Sequence, residues 1–171
     1  MELQDEIFID APRAVVFAGL NDPDILKECI PGCQELTKIN DTELSAIVVL
    51  KIGPVKAKFN GDVTLDPNEA PSKFSLTGAG NGGVAGFAKG GADVELEEHD
   101  GGTLLKYTAK AEIGGKLAQL GSRLVLSTAK KLSKEFFEKF DLVLTGADST
   151  PDDNEAKIET KKNLWDRLTG S

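Results

Sequence analysis

"LKYTAKAEIGGKLAQLGSRLVLSTAKKLSKEFFEKFDLVL", residues 105–144, changes its hydrophobic period halfway along, and that change decides the fold. In its first part Leu105, Tyr107, Ala109, Ala111 and Ile113 alternate with Lys106, Thr108, Lys110 and Glu112, the pattern of a strand with one wet face. Gly114-Gly115 ends that strand. Beyond it Leu117, Leu120, Leu124, Thr128, Leu132, Phe136, Phe140 and Val143 recur at three and four, which predicts a single long helix with one apolar stripe running to about Leu144. Lys116, Arg123, Lys130, Lys131, Lys134 and Lys139 lie off the stripe.

Upstream, the two-residue period extends back to Gln34. "ELSAIVVLKIG", "VKAKFNGDVTLD", "KFSLTGAG" and "ADVELEEHD" are strand-like runs, separated by the turn signals Ile52-Gly53-Pro54, Asp66-Pro67-Asn68 and His99-Asp100-Gly101-Gly102. Val55, Ala57, Phe59, Val63 and Leu65 face one way, and Lys56, Lys58, Asn60, Asp62 and Thr64 the other, so an antiparallel meander with one solvated face is expected. The N-terminal residues 2–10 form a further short strand. Asp10-Ala11-Pro12 then starts a helix carrying Val15, Val16, Phe17 and Leu20, with Asp10 as its cap and Pro12 in its first turn. Asn21-Asp22-Pro23 opens a second short helix with Leu26 and Ile30 on one face. The predicted class is α+β: a curved antiparallel sheet wrapped around the long C-terminal helix, the one element able to cover its concave face.

With 171 residues the chain suffices for one substantial domain that needs neither metal nor disulfide to fold. A formal net charge of −8, with basic residues scattered among acids, argues against nucleic-acid binding. No apolar run approaches the ~20 residues that span a bilayer. The opening residues lack a basic and an apolar leader region, so a cytoplasmic location is expected.

Two segments carry candidate chemistry. "KECIPGCQEL", residues 27–36, sets Cys29 and Cys33 around Pro31-Gly32. A thiol zinc site wants four ligands, these are the only thiols, and three residues rather than two separate them. The pair is expected to flank a helix stop, with a reversible disulfide as the alternative and no metal bound. The second segment, residues 78–91, is glycine-rich and contains Phe87 and Lys89. It is no phosphate loop, for it lacks the following Lys-Ser/Thr. It is either a mobile lip over a cavity mouth or an ordinary hairpin.

The inward positions given by alternation are almost all apolar: Val48, Leu50, Phe59, Val63, Leu105, Ala109, Leu120 and Leu124. Tyr107 is the one polar group among them, placed either to orient a ligand carbonyl or to be satisfied within the fold. His99 reads as a solvated turn residue, and no Ser/His/Asp arrangement is visible, so no catalytic residue is assigned. After Gly146 the composition shifts. The boundaries expected are a domain over 1–146, a flexible acidic linker over 147–160 and an amphipathic tip over 161–171. In the tip Leu164, Trp165, Arg167 and Leu168 would meet a membrane interface or a partner enzyme, or would be inert.

"LNDPDILKECIPGCQEL" (20–36), "KIGPVKAKFNGDVTL" (51–65), "GFAKGGADVEL" (86–96) and "GGKLAQLGSRL" (114–124) together resemble, in order, the motifs of the CoxG family, the G subunits associated with carbon monoxide dehydrogenase. The resemblance covers roughly residues 1–145. It implies membership of the START-like (SRPBCC) helix-grip superfamily, the Bet v 1-like fold that leaves a cavity between sheet and helix. It further implies a non-catalytic accessory protein of a molybdenum hydroxylase of the carbon monoxide dehydrogenase type. Such a protein would bind a quinone or other isoprenoid ligand non-covalently and link the enzyme, peripherally, to the inner face of the membrane and its quinone pool for electron transfer. Phe17, Phe87, Leu117 and Gly121 would join the inward residues in lining that cavity, with Phe87 and Lys89 gating it. A tethering factor without a carried ligand, and a cyclase-like enzyme acting on a hydrophobic aromatic compound, are the alternatives. This chain departs from the family in ending with a polar linker and a short tip in place of a more hydrophobic tail.

Overall fold

Alternating inward and outward side chains carry the chain through seven strands, which pair into one antiparallel sheet of order β1-β7-β6-β5-β4-β3-β2. The computed structural model describes residues 1–146. The strands are β1 (Glu2–Ile9), β2 (Cys33–Lys38), β3 (Glu43–Ile52), β4 (Val55–Glu69), β5 (Lys73–Asn81), β6 (Phe87–His99) and β7 (Gly102–Gly114). Helices α1 (Arg13–Leu20) and α2 (Pro23–Cys29) connect the two edge strands, and α3 (Lys116–Gln119) and α4 (Ser122–Thr145) follow the sheet.

Two local expectations are corrected. Asp10 does not cap α1. Pro12 occupies the cap position in extended backbone, with no side-chain hydrogen bond. Pro12 still pre-sets φ and has no N–H to satisfy. In α2 the expected device is present, with Asp22 accepting from the Asp24 and Ile25 amides and Pro23 in the first turn. The C-terminal helix is likewise not continuous. Gly121 stands at φ 92 between α3 and α4, a conformation no helical residue adopts, so the apolar stripe bends sharply at its fourth residue after Leu117. The far end is as expected: Gly146, at φ 63, closes α4 in the left-handed conformation and donates to the Leu142 carbonyl at 2.7 Å.

The interior has two unlike ends. At one, Ile9, Val16, Ile25, Phe74, Leu96, Leu105, Phe140 and Leu144 form a sealed core where α1, α2 and the last turns of α4 meet the sheet. Phe136 stacks on Phe140 at 5.6 Å, and Phe17 meets Phe74 edge-on at 5.1 Å. Thr103, fully buried, donates to the Ala11 carbonyl at 2.7 Å and pins the start of β7 to the chain leaving β1. At the other end lie the β3–β4 turn, the β5–β6 connection, α3 and the first turn of α4.

The Cys-Ile-Pro-Gly-Cys stretch is the corner between α2 and β2. Cys29 is the last residue of α2 and is 3% exposed. Gly32 turns the chain at φ 76, and its carbonyl accepts from the Val49 amide at 2.9 Å. Burial pushes the Cys29 thiol up to about 12, with the Glu28 carboxylate adding to the shift and Lys139 opposing it. Burial also raises the half-buried Cys33 thiol, against the pull of Lys27. Both sulfurs are free thiols, held protonated at neutral pH and therefore poor nucleophiles.

Candidate ligand-binding hollow

The strand registers assign every side chain of the open end to a face. On the concave face Leu50 pairs with Ala57, Val48 with Phe59, Leu44 with Val63 and Ala92 with Ala109. Nearer the core the same face carries Leu65, Leu76, Phe74, Val94 and Leu96. Towards the open end it carries Ala46, Gly61, Gly78, Gly80, Ala88, Gly90, Ala92, Ala109 and Ala111. The wall thus passes from bulky to very small residues along the strands. None of those nine is buried, although all face inward under α4, and Val48, Leu50, Phe59 and Val63 around them stay partly accessible. A packed interior would have sealed such positions. The concave wall at the open end is thus made of small apolar residues, of which Gly78, Gly90 and Ala111 also border an outer cleft with Asp62, Lys89 and Lys110.

Leu124, in the first turn of α4, closes this space against the β3–β4 turn, where its Cδ2 lies 3.1 Å from where a Cβ on Gly53 would be. The β5–β6 connection is one tight 3-10 turn, Gly83–Ala85, with Ala85 buried and Gly86 packed against Gly115. That is a short hairpin rather than a long lip. Along the β1 edge the gap between sheet and α4 stays open in two clefts. One, of about 430 Å³, is lined by Met1, Ala111, Ile113, Gly121, Val125 and Leu126 among others. The other, of about 480 Å³, lies between β1 and the middle of α4 and includes Leu3, Asp5, Tyr107, Ser133, Phe137 and Asp141.

Of the residues expected to line the cavity, Val48, Leu50, Phe59, Val63 and Ala109 lie together on the concave wall, and Leu120, Gly121 and Leu124 lie at its mouth. Four others are placed elsewhere. Leu105 is 1% exposed within the sealed core, and Phe17 packs there on Phe74. Leu117 is buried beneath α3 and has no free surface for a guest. Phe87 pairs with Gly114 on the convex face, where its ring covers that glycine, so neither it nor its neighbour Lys89, bridged to Glu112 at 3.4 Å, gates the interior. The inward reading of Phe87 rests on its isolation among glycines; alternation counted back from Val94 and Leu96 places it outward, as found. The small concave residues are the signal in the sequence that a search for bulky apolar side chains overlooks. The tip residues Leu164, Trp165, Arg167 and Leu168 lie outside the described residues.

Tyr107 is stacked on Phe137, with ring centroids 5.5 Å apart, and belongs to the cleft beside β1 rather than to the open end. Burial raises its hydroxyl above the ordinary range, a hydrogen bond with Ser133 draws it back, and Asp5 raises it further. Asp141 in the same cleft is raised by burial and by Asp10. A carboxyl whose folded value exceeds its unfolded one favours folding when protonated, so its contribution is present below the unfolded value and lost as pH rises through the window above it. Asp141→Asn is therefore expected to raise the melting temperature slightly at neutral pH. The difference from the parent protein should vanish near pH 3, as read by thermal unfolding across a pH series.

Comparison with known proteins agrees with this geometry. The family model for the G subunit of carbon monoxide dehydrogenase (CoxG) matches residues 6–145. A conserved protein from Geobacillus kaustophilus is 32% identical, over 82% of this chain and 93% of that one, with a TM-score of 0.77. An aromatase/cyclase from Streptomyces sp. R1128 superposes with a TM-score of 0.62 at 9% identity, over 87% of this chain and 99% of its own. Ara h 8.0201 does so with a TM-score of 0.58 at 17% identity, over 82% and 95%. The last two show the fold alone, a helix-grip one. No curated protein sequence matches the chain.

Proposed function

The chain belongs to the CoxG family of carbon monoxide dehydrogenase, a family of accessory proteins, and from that premise we propose that it is a non-catalytic carrier serving a molybdenum hydroxylase of the carbon monoxide dehydrogenase type. It binds a lipophilic molecule, a quinone, beneath α4 and links the enzyme to the membrane quinone pool. The observation that carries this reading is the concave wall of alanines and glycines left accessible among Val48, Leu50, Phe59 and Val63. Such a surface suits a chain of hydrocarbon. Each buried CH₂ contributes about 0.8 kcal/mol, so about ten carbons contribute roughly 8 kcal/mol against the ~4–15 kcal/mol cost of association, and about twenty exceed it throughout that range. A quinone requires few polar partners. Gln119 and Ser122, both exposed beside the mouth, are the side chains proposed to meet its carbonyl.

Organic extraction of the purified protein followed by mass spectrometry tests the reading. A co-purifying quinone or other isoprenoid at near-stoichiometric amount is expected, and an empty protein that also fails to take up added quinone would leave only a tethering role. The enzyme alternative rests on Tyr107, the one phenol on the inward face. Tyr107→Phe should leave ligand loading unchanged, whereas a cyclase would lose turnover in that variant.

A further inference from the structure

Charge is distributed very unevenly over the fold. The chain carries a formal net charge of −8, yet the open end gathers seven side-chain cations: Lys51, Lys56, Lys58, Lys89, Lys110, Lys116 and Arg123. They come from the β3–β4 turn, the start of β6, the end of β7 and the beginnings of α3 and α4. Glu2, Asp62 and Glu112 stand near Lys89 and Lys110, and among the described residues only Lys89 of the seven is in an ion pair, with Glu112. Lys51 and Lys56 sit side by side in register, both exposed, where like charges would repel unless an anion lies between them and a partner. At the same end projects Val84, 85% exposed, on the 3-10 turn that packs against α3 and β4. Phe87 beside it is 40% exposed. A bare valine at a loop tip, at the end of the fold that carries these lysines, has the composition of a surface that meets anionic lipid: the apolar tip enters the interface and the ammonium groups meet headgroups.

We infer that the open end, with Val84 at its tip and Lys51, Lys56 and Lys58 at its rim, is a docking surface for an anionic membrane. At that same end Leu124 closes against the Gly53 turn. Docking would bring this closure to the bilayer surface, so that its parting would pass a lipophilic guest without crossing water. This purpose rests on the carrier reading above; the docking itself does not.

The experiment is sedimentation of the full-length protein with vesicles of phosphatidylcholine, with and without a one-third share of phosphatidylglycerol. Binding only to the anionic vesicles is expected, with loss at high salt. Each lysine near an anionic surface is worth about fivefold in binding, so Lys51→Gln/Lys56→Gln/Lys58→Gln together should weaken it roughly a hundredfold. Val84→Ser, at a fully open position, should weaken it severalfold without altering the melting temperature. Quinone content, measured on the same preparations in parallel, should be unchanged in both variants, so failure of docking and failure of carriage are read separately. Undiminished vesicle binding in both variants overturns the inference, because contact would then lie elsewhere in the chain. Absence of binding by the parent protein overturns it equally. So does retained vesicle binding with selective loss of capture by the partner dehydrogenase, which would make this end a protein-docking site.

Discussion

Ala109→Phe is expected to strip the protein of its lipophilic guest while leaving it folded. Ala109 faces the concave side of β7, in register with Ala92 on β6 and Leu3 on β1, and it is accessible despite lying under α4. Ala109 is not sealed in the core, so a phenyl ring there should take up space on the concave side with less overpacking cost than at a buried position. The added apolar surface should hold the melting temperature at or above the parent value. Ligand recovered by extraction should fall at least about tenfold, because a site that loses the contacts of even two carbons forfeits roughly 1.5 kcal/mol and here loses volume as well. The same ring placed outward, at Thr108, is the control and should leave loading intact. Full loading of Ala109→Phe would show that the guest sits elsewhere, in the cleft around Tyr107 and Phe137 or in the one around Ile113 and Val125.

Gly32→Ala should destabilise the fold by roughly 2–5 kcal/mol. Gly32 adopts φ 76, and a Cβ built on it would stand 2.1 Å from the Val49 carbonyl oxygen. The backbone cannot retreat, because the Gly32 carbonyl accepts the Val49 amide at 2.9 Å in the opposite direction. The left-handed conformation costs an alanine about 1–2 kcal/mol, and relief of the clash requires α2 or β3 to shift, at roughly 1–3 kcal/mol more. Against a total stability of ~5–15 kcal/mol that is a large fraction. Chemical denaturation should show a midpoint far below the parent's, or no cooperative transition. Gly121→Ala provides the contrast: its φ is 92, but nothing lies within 4 Å of the added methyl, so only the conformational part of the penalty applies.

How much is legible in the residues follows from what each feature depends on. Strand and helix periods, the helix stop at Pro31-Gly32, the Asp22 cap and the Gly146 terminus are local, and the sequence displays them directly. Parity across a turn is not local. Phe87 stands alone among glycines and so reads as a gate, but whether it lies in a lip or in a strand depends on the β5–β6 connection, whose geometry, set by Gly83 and Gly86 at positive φ, is invisible in a string of residues. Leu105 illustrates a different limit: it does point inward, as its alternation demands, but lies at the end where α1, α2 and Phe140 fill the space. The break at Gly121 is written in the sequence but masked by the continuity of the leucine stripe on either side of it.

By itself, then, the amino-acid order determined a sheet of alternating strands closed by an amphipathic helix, because hydrophobic period and turn chemistry act over a few residues at a time. It also determined that the two cysteines flank a helix stop, while their state as free, protonated thiols came from burial in the fold. Which inward residues touch one another, and which face only space, was decided by tertiary structure alone. Alanines and glycines on five different strands become one bare wall only when register aligns them, and lysines far apart in sequence become one charged rim only when the strand ends converge.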